Sequence, residues 1–325
     1  MNKKTIIKSE IDFIKKIKKK MPICNKNLIY GIGDDSAVIR DNKNNILITT
    51  DILVEDTHFK KKWSLSEEIA HKAIECNISD IIAMGGSPTF MFISIIISNN
   101  SLIWIKKIYN YIIKLCNKYK IIIAGGDTTK GQINAINITL LGTIIYNKIS
   151  LRSHAEPKDI VAITGPVGAS KIGLSSIIKK NKISKYIRKR HISPNSNLKK
   201  GIKISPIINA MIDITDGLGN ELNQLCEKSE IGIKIYEKLI PVNNHTKVLT
   251  KWNKKKISEI LISSGEELEL LFTFPPSKIN LINNIDFTYY IIGNTTKIKK
   301  ERIFIKKSGK ISNLTKGFDH FNKNF

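Results

Sequence analysis

The sequence predicts an α/β protein, or α+β in the layered sense, built as two domains. Three observations carry this. Apolar runs of strand length, such as Phe90 to Ile97 and Leu268 to Phe274, are interleaved with longer stretches whose apolar residues recur at helical spacing. The pattern loosens between Asn147 and Asp159, around Arg152, Pro157 and Lys158, and restarts at Ile160. With 325 residues, the chain can bury a core in each half without staples. The expected domains are therefore 1–148 and 149–325.

Taken in order, Ile6, Ile7, Ile11, Ile14 and Ile17 mark a helix over residues 3–20, with Pro22 beyond its end. Gly31-Ile32-Gly33-Asp34-Asp35 reads as a glycine-hinged acidic turn ahead of a strand at Ala37-Val38-Ile39. Ile46 to Thr50 reads as a second strand ending on Asp51. Ser64 and Glu67 have capping-box spacing. The stripe Ala70, Ile74, Ile78 and Ile81 then makes a helix that Gly85-Gly86 stops. A strand at 90–97 and an amphipathic helix at 102–118 come next. A short strand at 120–124 runs straight into the glycine-rich Gly125 to Gly131, and another strand spans 133–145. Beyond the boundary, strands are expected at 160–164, 210–212 and 268–274 and a helix at 218–228. Gly165 to Gly168 forms a turn, and residues 179–200 form a basic connection.

The formal net charge is +25, with 53 basic against 28 acidic side chains. Only five of the 53 are arginine, and lysine, isoleucine and asparagine are inflated together, as an A/T-biased coding sequence would produce. The aromatics do not track the lysine runs, as they would on a nucleic-acid-binding face. The excess therefore reads as solvated faces, and no specific nucleic-acid partner is expected. Four dispersed cysteines without a Cys-x-x-Cys fit free thiols in a reducing compartment, so a cytoplasmic protein is expected. No uncharged apolar run approaches the ~20 residues of a membrane span, and no membrane association is expected.

Six acids lie at element ends beside small residues: Asp35, Asp51, Asp80, Asp127, Asp213 and Asp216. Singly, each is better explained as a turn residue or cap. Brought together, they would form an all-oxygen set suited to Mg²⁺, not to zinc or copper. Mg²⁺ held by carboxylates usually completes its shell with water and phosphate, which points to phosphoryl chemistry on a nucleotide. No Gly-x-x-x-x-Gly-Lys-Ser/Thr loop is present, so ATP would be held through metals and scattered acids.

The ordered motifs GIGDD (31–35), TTD (49–51), NISDIIAMGG (77–86), GGDTTKG (125–131), DITDGL (213–218), SGEELEL (264–270) and KGFDHF (316–321) resemble the thiamine-monophosphate kinase family. That family lies within the aminoimidazole ribonucleotide synthetase-like ATP-binding superfamily. The resemblance spans nearly the whole chain. It implies an N-terminal mixed sheet with flanking helices, which binds ATP and Mg²⁺ and dimerises, and a C-terminal α/β domain that completes the site. It implies a homodimer, and transfer of phosphate from ATP to thiamine monophosphate in the last step of thiamine diphosphate biosynthesis. The transfer would be direct and in line, assisted by several Mg²⁺ ions.

By the same resemblance, Asp35, Thr49, Thr50, Asp51, Asp80, Asp127, Asp213 and Asp216 would hold the metals. Gly126, Asp127, Arg152 and Thr215 would meet ATP, and His58, Glu266 and Phe318 would meet thiamine monophosphate. Asp34 would have no part, because adjacent side chains on extended backbone point apart. Ser264 stands where the family often has glycine. A selenophosphate synthetase-like activity is the nearest alternative. It would need a reactive cysteine in a glycine-rich N-terminal loop, and Cys24 lacks that setting.

Overall fold

The computed structural model describes residues 26–41, 44–98, 102–250 and 257–314. The helix expected at 3–20, Cys24 and the motif carrying Phe318 lie outside them.

The first half forms one six-stranded sheet. Its strands are β1 (Leu28–Tyr30), β2 (Ala37–Asp41), β3 (Asn44–Val54), β4 (Gly86–Ser98), β5 (Ile122–Gly131) and β6 (Ala135–Ile144). They lie in the order β1-β2-β3-β6-β4-β5. All neighbours are antiparallel except β4 and β5, so the sheet is mixed. Helices α1 (Ser66–Ala83) and α2 (Leu102–Tyr119) flank it.

The second half holds a seven-stranded sheet. It contains β7 (Ile160–Ile163), β8 (Ala210–Asp213), β9 (Gly232–Tyr236), β10 (Leu270–Phe274), β11 (Tyr290–Thr296), β12 (Arg302–Ile305) and β13 (Ile311–Asn313). Their order is β13-β12-β9-β11-β7-β10-β8. The helices of this half include α3 (Ala169–Ile178), α4 (Lys185–Ile192), α5 (Leu198–Ile204) and α6 (Leu218–Ser229). Thus α4 and the start of α5 occupy the stretch 179–200 that reads as a basic connection.

Helix α1 organises the molecule because it is buried on two sides. The expected stripe Ala70, Ile74, Ile78 and Ile81 packs into one core with Leu47, Met91, Ile93, Ile138 and Leu140 of the first sheet. Each buried isoleucine there contributes about 1.5–3 kcal/mol relative to exposure. Ile82 and Ala83 face the other way, into a core with Ile204, Met211, Leu270, Phe272 and Phe274 of the second half. Helix α5 comes so close that a Cβ on Gly201 would lie 2.3 Å from Ile82. Polar residues of α1 are therefore trapped between the halves, and Lys72, Glu75, Asn77 and Ser79 are all buried.

Three local readings change. The helix N-terminus falls one residue later than the Ser64–Glu67 spacing suggests. Glu68 accepts from the Leu65 N–H at 2.9 Å, and leucine has no side-chain acceptor to return the bond. Asp51 does not end its strand, because β3 continues to Val54 and Asp51 pairs with Ile138 of β6. The strand expected at 120–124 starts later and continues through the glycine-rich segment 125–131, which makes up most of β5 in register with β4. Gly126 is needed for that approach: a Cβ there would lie 1.9 Å from the Ile93 carbonyl oxygen.

Candidate active site

Four elements deliver carboxylates to one place. Asp35 follows the turn at Gly33, whose φ of +123° suits glycine. Thr49 and Asp51 occupy one face of β3, since side chains alternate along a strand. Asp80 lies in the last turn of α1, and Asp213 ends β8. Asp35, Asp80 and Asp213 each offer an oxygen within 4.8 Å of the other two. The Thr49 hydroxyl donates to Asp80 Oδ2 at 2.6 Å. Asp213 is 1% exposed, and its buried Oδ2 has no hydrogen-bond partner.

Burial first, and then the neighbouring carboxylates, push Asp80 and Asp213 well above the usual carboxylate range. Burial raises Asp51 as well. Such a cluster is unfavourable unless a cation joins it. An all-oxygen set with an orphaned buried oxygen fits a hard divalent ion such as Mg²⁺.

Arg152 binds the cluster's edge. Its Nε lies 3.1 Å from Asp35 Oδ2, and an Nη completes a fork onto Asp35 Oδ1. The other Nη donates to Gln224 of α6 at 2.6 Å. Arg152 Nε also lies 3.5 Å from Asp34 Oδ1. Asp34 therefore shares Arg152 with its neighbour, but it is not among the carboxylates that converge. Burial, then Asp35, raises Asp34 to about 7.

Sequence reasoning also missed Glu221, in the first turn of α6. It accepts from the Asp216 N–H at 2.9 Å and from Gln224 at 3.1 Å. Burial, then Asp216, raises its carboxyl to about 8. The available signal was an acid three residues past the DITDGL motif.

A second group lies beside the first. The Glu266 N–H donates to the Thr215 carbonyl at 2.6 Å, in a loop where a Cβ on Gly265 would lie 2.5 Å from that same oxygen. Lys72 Nζ meets Glu266 Oε1 at 2.5 Å, and His191 Nδ1 meets Oε2 at 3.1 Å. Burial opposes the charged form of Glu266, but Lys72 and then His191 outweigh it and hold the carboxyl far below its usual range. His58 accepts from the Val54 N–H through Nδ1 at 3.0 Å, which leaves Nε2 as its protonated nitrogen in the neutral ring. The Ser264 hydroxyl donates to Glu267 at 2.6 Å and accepts from the Lys171 N–H, a tie that glycine could not make.

Two expected metal ligands are not brought to the cluster. The Thr50 side chain is on the opposite face of β3, where it contacts Thr139 at 3.0 Å. Asp127 is exposed on β5, and its Oδ1 accepts from the Thr128 N–H at 2.8 Å. Gly126 lies on the same exposed strand.

Comparison with known proteins agrees with this architecture. The family described as "AIR synthase related protein, N-terminal domain" matches residues 33–145, and its C-terminal counterpart matches 159–306. The thiamine-monophosphate kinase of Buchnera aphidicola subsp. Schizaphis graminum (strain Sg) is 37% identical over 326 positions, covering 96% of this chain and 99% of that protein. That of Buchnera aphidicola subsp. Acyrthosiphon pisum (strain APS) is 34% identical over 96% of this chain and 99% of its own length. A solved structure described as AaThiL complexed with AMPPCP and TMP superposes with a TM-score of 0.86 at 28% identity, covering 98% of this chain and all of that one. Two matched domains, a shared fold and near full-length identity above 30% place the chain in the thiamine-monophosphate kinase family, among the AIR synthase related proteins.

Proposed function

We propose that the chain transfers the terminal phosphoryl group of ATP to the phosphate of thiamine monophosphate, forming ADP and thiamine diphosphate. One observation carries this reading: Asp35, Asp80 and Asp213 converge from both halves of the chain into one buried acidic cluster. Its relatives' shared name, and a related structure complexed with AMPPCP and TMP, supply the acceptor and the nucleotide.

Asp35, Asp80 and Asp213 would hold Mg²⁺, with Thr49 orienting Asp80, Asp51 beside Asp80 and Asp216 beside Glu221 as further candidate ligands. When bound, several Mg²⁺ ions would neutralise phosphate oxygens and the charge that develops during transfer. Arg152, held by Asp35 and Gln224, would meet ATP phosphate through its remaining guanidinium N–H groups. Thr215 ties the nucleotide side to Glu266 through its carbonyl. Glu266 and His58 would receive the thiamine end, with Phe318 as a further aromatic contact. The γ-phosphorus would pass directly from its bridging oxygen in ATP to an acceptor phosphate oxygen, without a covalent carrier. Residues 1–148 would then bind ATP and Mg²⁺, and 149–325 would complete the nucleotide and acceptor sites. The described cysteines are free thiols, in keeping with a cytoplasmic setting.

We also propose a homodimer formed through β5. Nine of its ten residues are exposed, which leaves a long edge strand uncovered. Phe90 and Phe92 of β4, beside it, are exposed as well. A two-fold pairing of this surface would cover all of these and would bring Gly126, Asp127 and Thr50 near a shared seam. Sedimentation should give twice the 36.7 kDa chain mass. A monomer at micromolar concentration would remove the dimer.

Product analysis tests the activity. Thiamine diphosphate should appear only when ATP, Mg²⁺ and thiamine monophosphate are all supplied, and EDTA should abolish it. Unchanged thiamine monophosphate, with ATP hydrolysed or another acceptor phosphorylated, would end the assignment.

A further inference from the structure

Lys72 belongs to no motif, yet it is the residue of α1 that touches the acceptor end. Its side chain is 4% exposed, and the Glu266 side chain that it contacts is 33% exposed. The pair is thus asymmetric: the cation sits behind and the carboxylate faces outward. A buried ammonium needs acceptors to replace its lost hydration. Lys72 finds Glu266 Oε1 at 2.5 Å and the His58 carbonyl oxygen at 3.3 Å. One side chain therefore ties together two segments that the proposed function assigns to the acceptor.

The opposite Glu266 oxygen is held by His191 of α4 at 3.1 Å, and the same His191 nitrogen lies 3.1 Å from the Ser170 hydroxyl. With φ at +55° and its N–H committed to Thr215, Glu266 has a strained, fixed backbone. A residue that only cemented the core would not need an exposed partner, because an apolar pair serves a sealed interior as well or better. Lys72 also precedes Asp80 by eight residues on one rigid helix, roughly 12 Å along its axis. Helix α1 thereby sets the distance between the acidic cluster and the Glu266 carboxylate.

We propose that Lys72 is a specificity-determining positioning residue, which holds the Glu266 carboxylate and the His58 loop where the cationic ring of the acceptor docks. The proposal rests on the reading of Glu266 as an acceptor contact. It makes Lys72 a selector for acceptors that pair a phosphate with a positive ring, through Glu266 and without touching the transferred group.

Steady-state kinetics of Lys72→Met, Glu266→Gln and the double variant test it, with melting temperatures measured alongside. Lys72→Met should raise the acceptor KM roughly tenfold or more and leave the ATP KM within about twofold. Glu266→Gln should raise the acceptor KM similarly, and the double variant should be no worse than the poorer single, because the two act as one unit. Should Lys72→Met not fold, Lys72→Gln keeps a donor and loses only the charge, and the acceptor KM should still rise. A neutral-ring isostere of thiamine monophosphate should bind the wild type and Lys72→Gln alike. An acceptor KM unchanged in the Lys72 variants but raised in Glu266→Gln would overturn the proposal and leave the acceptor site standing. An unchanged acceptor KM in all of them would overturn the acceptor site itself. Equal rises in both substrates' KM, tracking lost stability, would reduce Lys72 to a structural role and also overturn the proposal.

Discussion

Replacing Asp80 by asparagine is expected to lower turnover by roughly a hundredfold or more and, at the same time, to raise the melting temperature of the metal-free protein. The two effects have one cause. Asp80 is buried beside Asp51, Asp213 and Asp35, so its charge is unfavourable unless a cation joins the cluster. Asparagine has nearly the same volume and can still accept the Thr49 hydroxyl now bound at 2.6 Å. It removes the charge and therefore the cost of burying or protonating it. The same charge is needed when a cation and phosphates occupy the cluster, and a hundredfold corresponds to about 2.7 kcal/mol of barrier. In the wild type, Mg²⁺ with nucleotide should raise the melting temperature by binding only the folded state, and that increment should shrink in the variant. Turnover and thermal unfolding, each with Mg²⁺ and with EDTA, check this. A variant that is both less stable without metal and fully active would contradict it.

Arg152→Met should be the most destabilising of the site substitutions, by roughly 3–5 kcal/mol, with turnover lost as well. The side chain is 13% exposed and carries a fork onto Asp35, a contact with Asp34 and a hydrogen bond to Gln224. Asp35 belongs to the first half and Gln224 to the second, so this one guanidinium joins the two. Methionine fills the volume but leaves two neighbouring carboxylates without their cation. Arg152→Lys should fall between, since an ammonium is a point charge and cannot make the fork. Adding Asp35→Asn to Arg152→Met should recover part of the stability and none of the activity. Urea denaturation measures the first and product formation the second. Wild-type stability for Arg152→Met would show that the ion pair contributes nothing.

The acidic cluster was legible in the sequence because each member stands at an element end beside small residues, and the motifs recur in a fixed order. The α1 stripe was legible for the usual reason, its 3.6-residue period. Other features depended on what lies across from an element, which periodicity does not report. Lys72 reads as a polar position on an amphipathic helix. It is buried because the second half covers the face that would otherwise meet water. Thr50 reads as part of a Thr-Thr-Asp motif, yet strand alternation sends its side chain to the far face, away from Thr49 and Asp51. Asp34 was set aside as a metal ligand and lies outside the converging set, but the sequence did not show that it shares Arg152 with Asp35. Glu221 looks like an ordinary first-turn acid until Asp216 and Gln224 are seen around it. The strand at 120–124 reads as ending where the glycines begin, at Gly125. In the structure those glycines let β5 approach β4.

The claim on which the rest depends is that carboxylates from both halves form a single cation site. Titration with Mn²⁺ in the presence of ATP, followed by electron paramagnetic resonance, tests it without requiring turnover. Asp80→Asn removes a ligand from the first half, and Asp213→Asn removes one from the second. Each variant, still folded, should bind Mn²⁺ at least about tenfold more weakly than the wild type. Unchanged Mn²⁺ affinity in either folded variant would contradict the shared site.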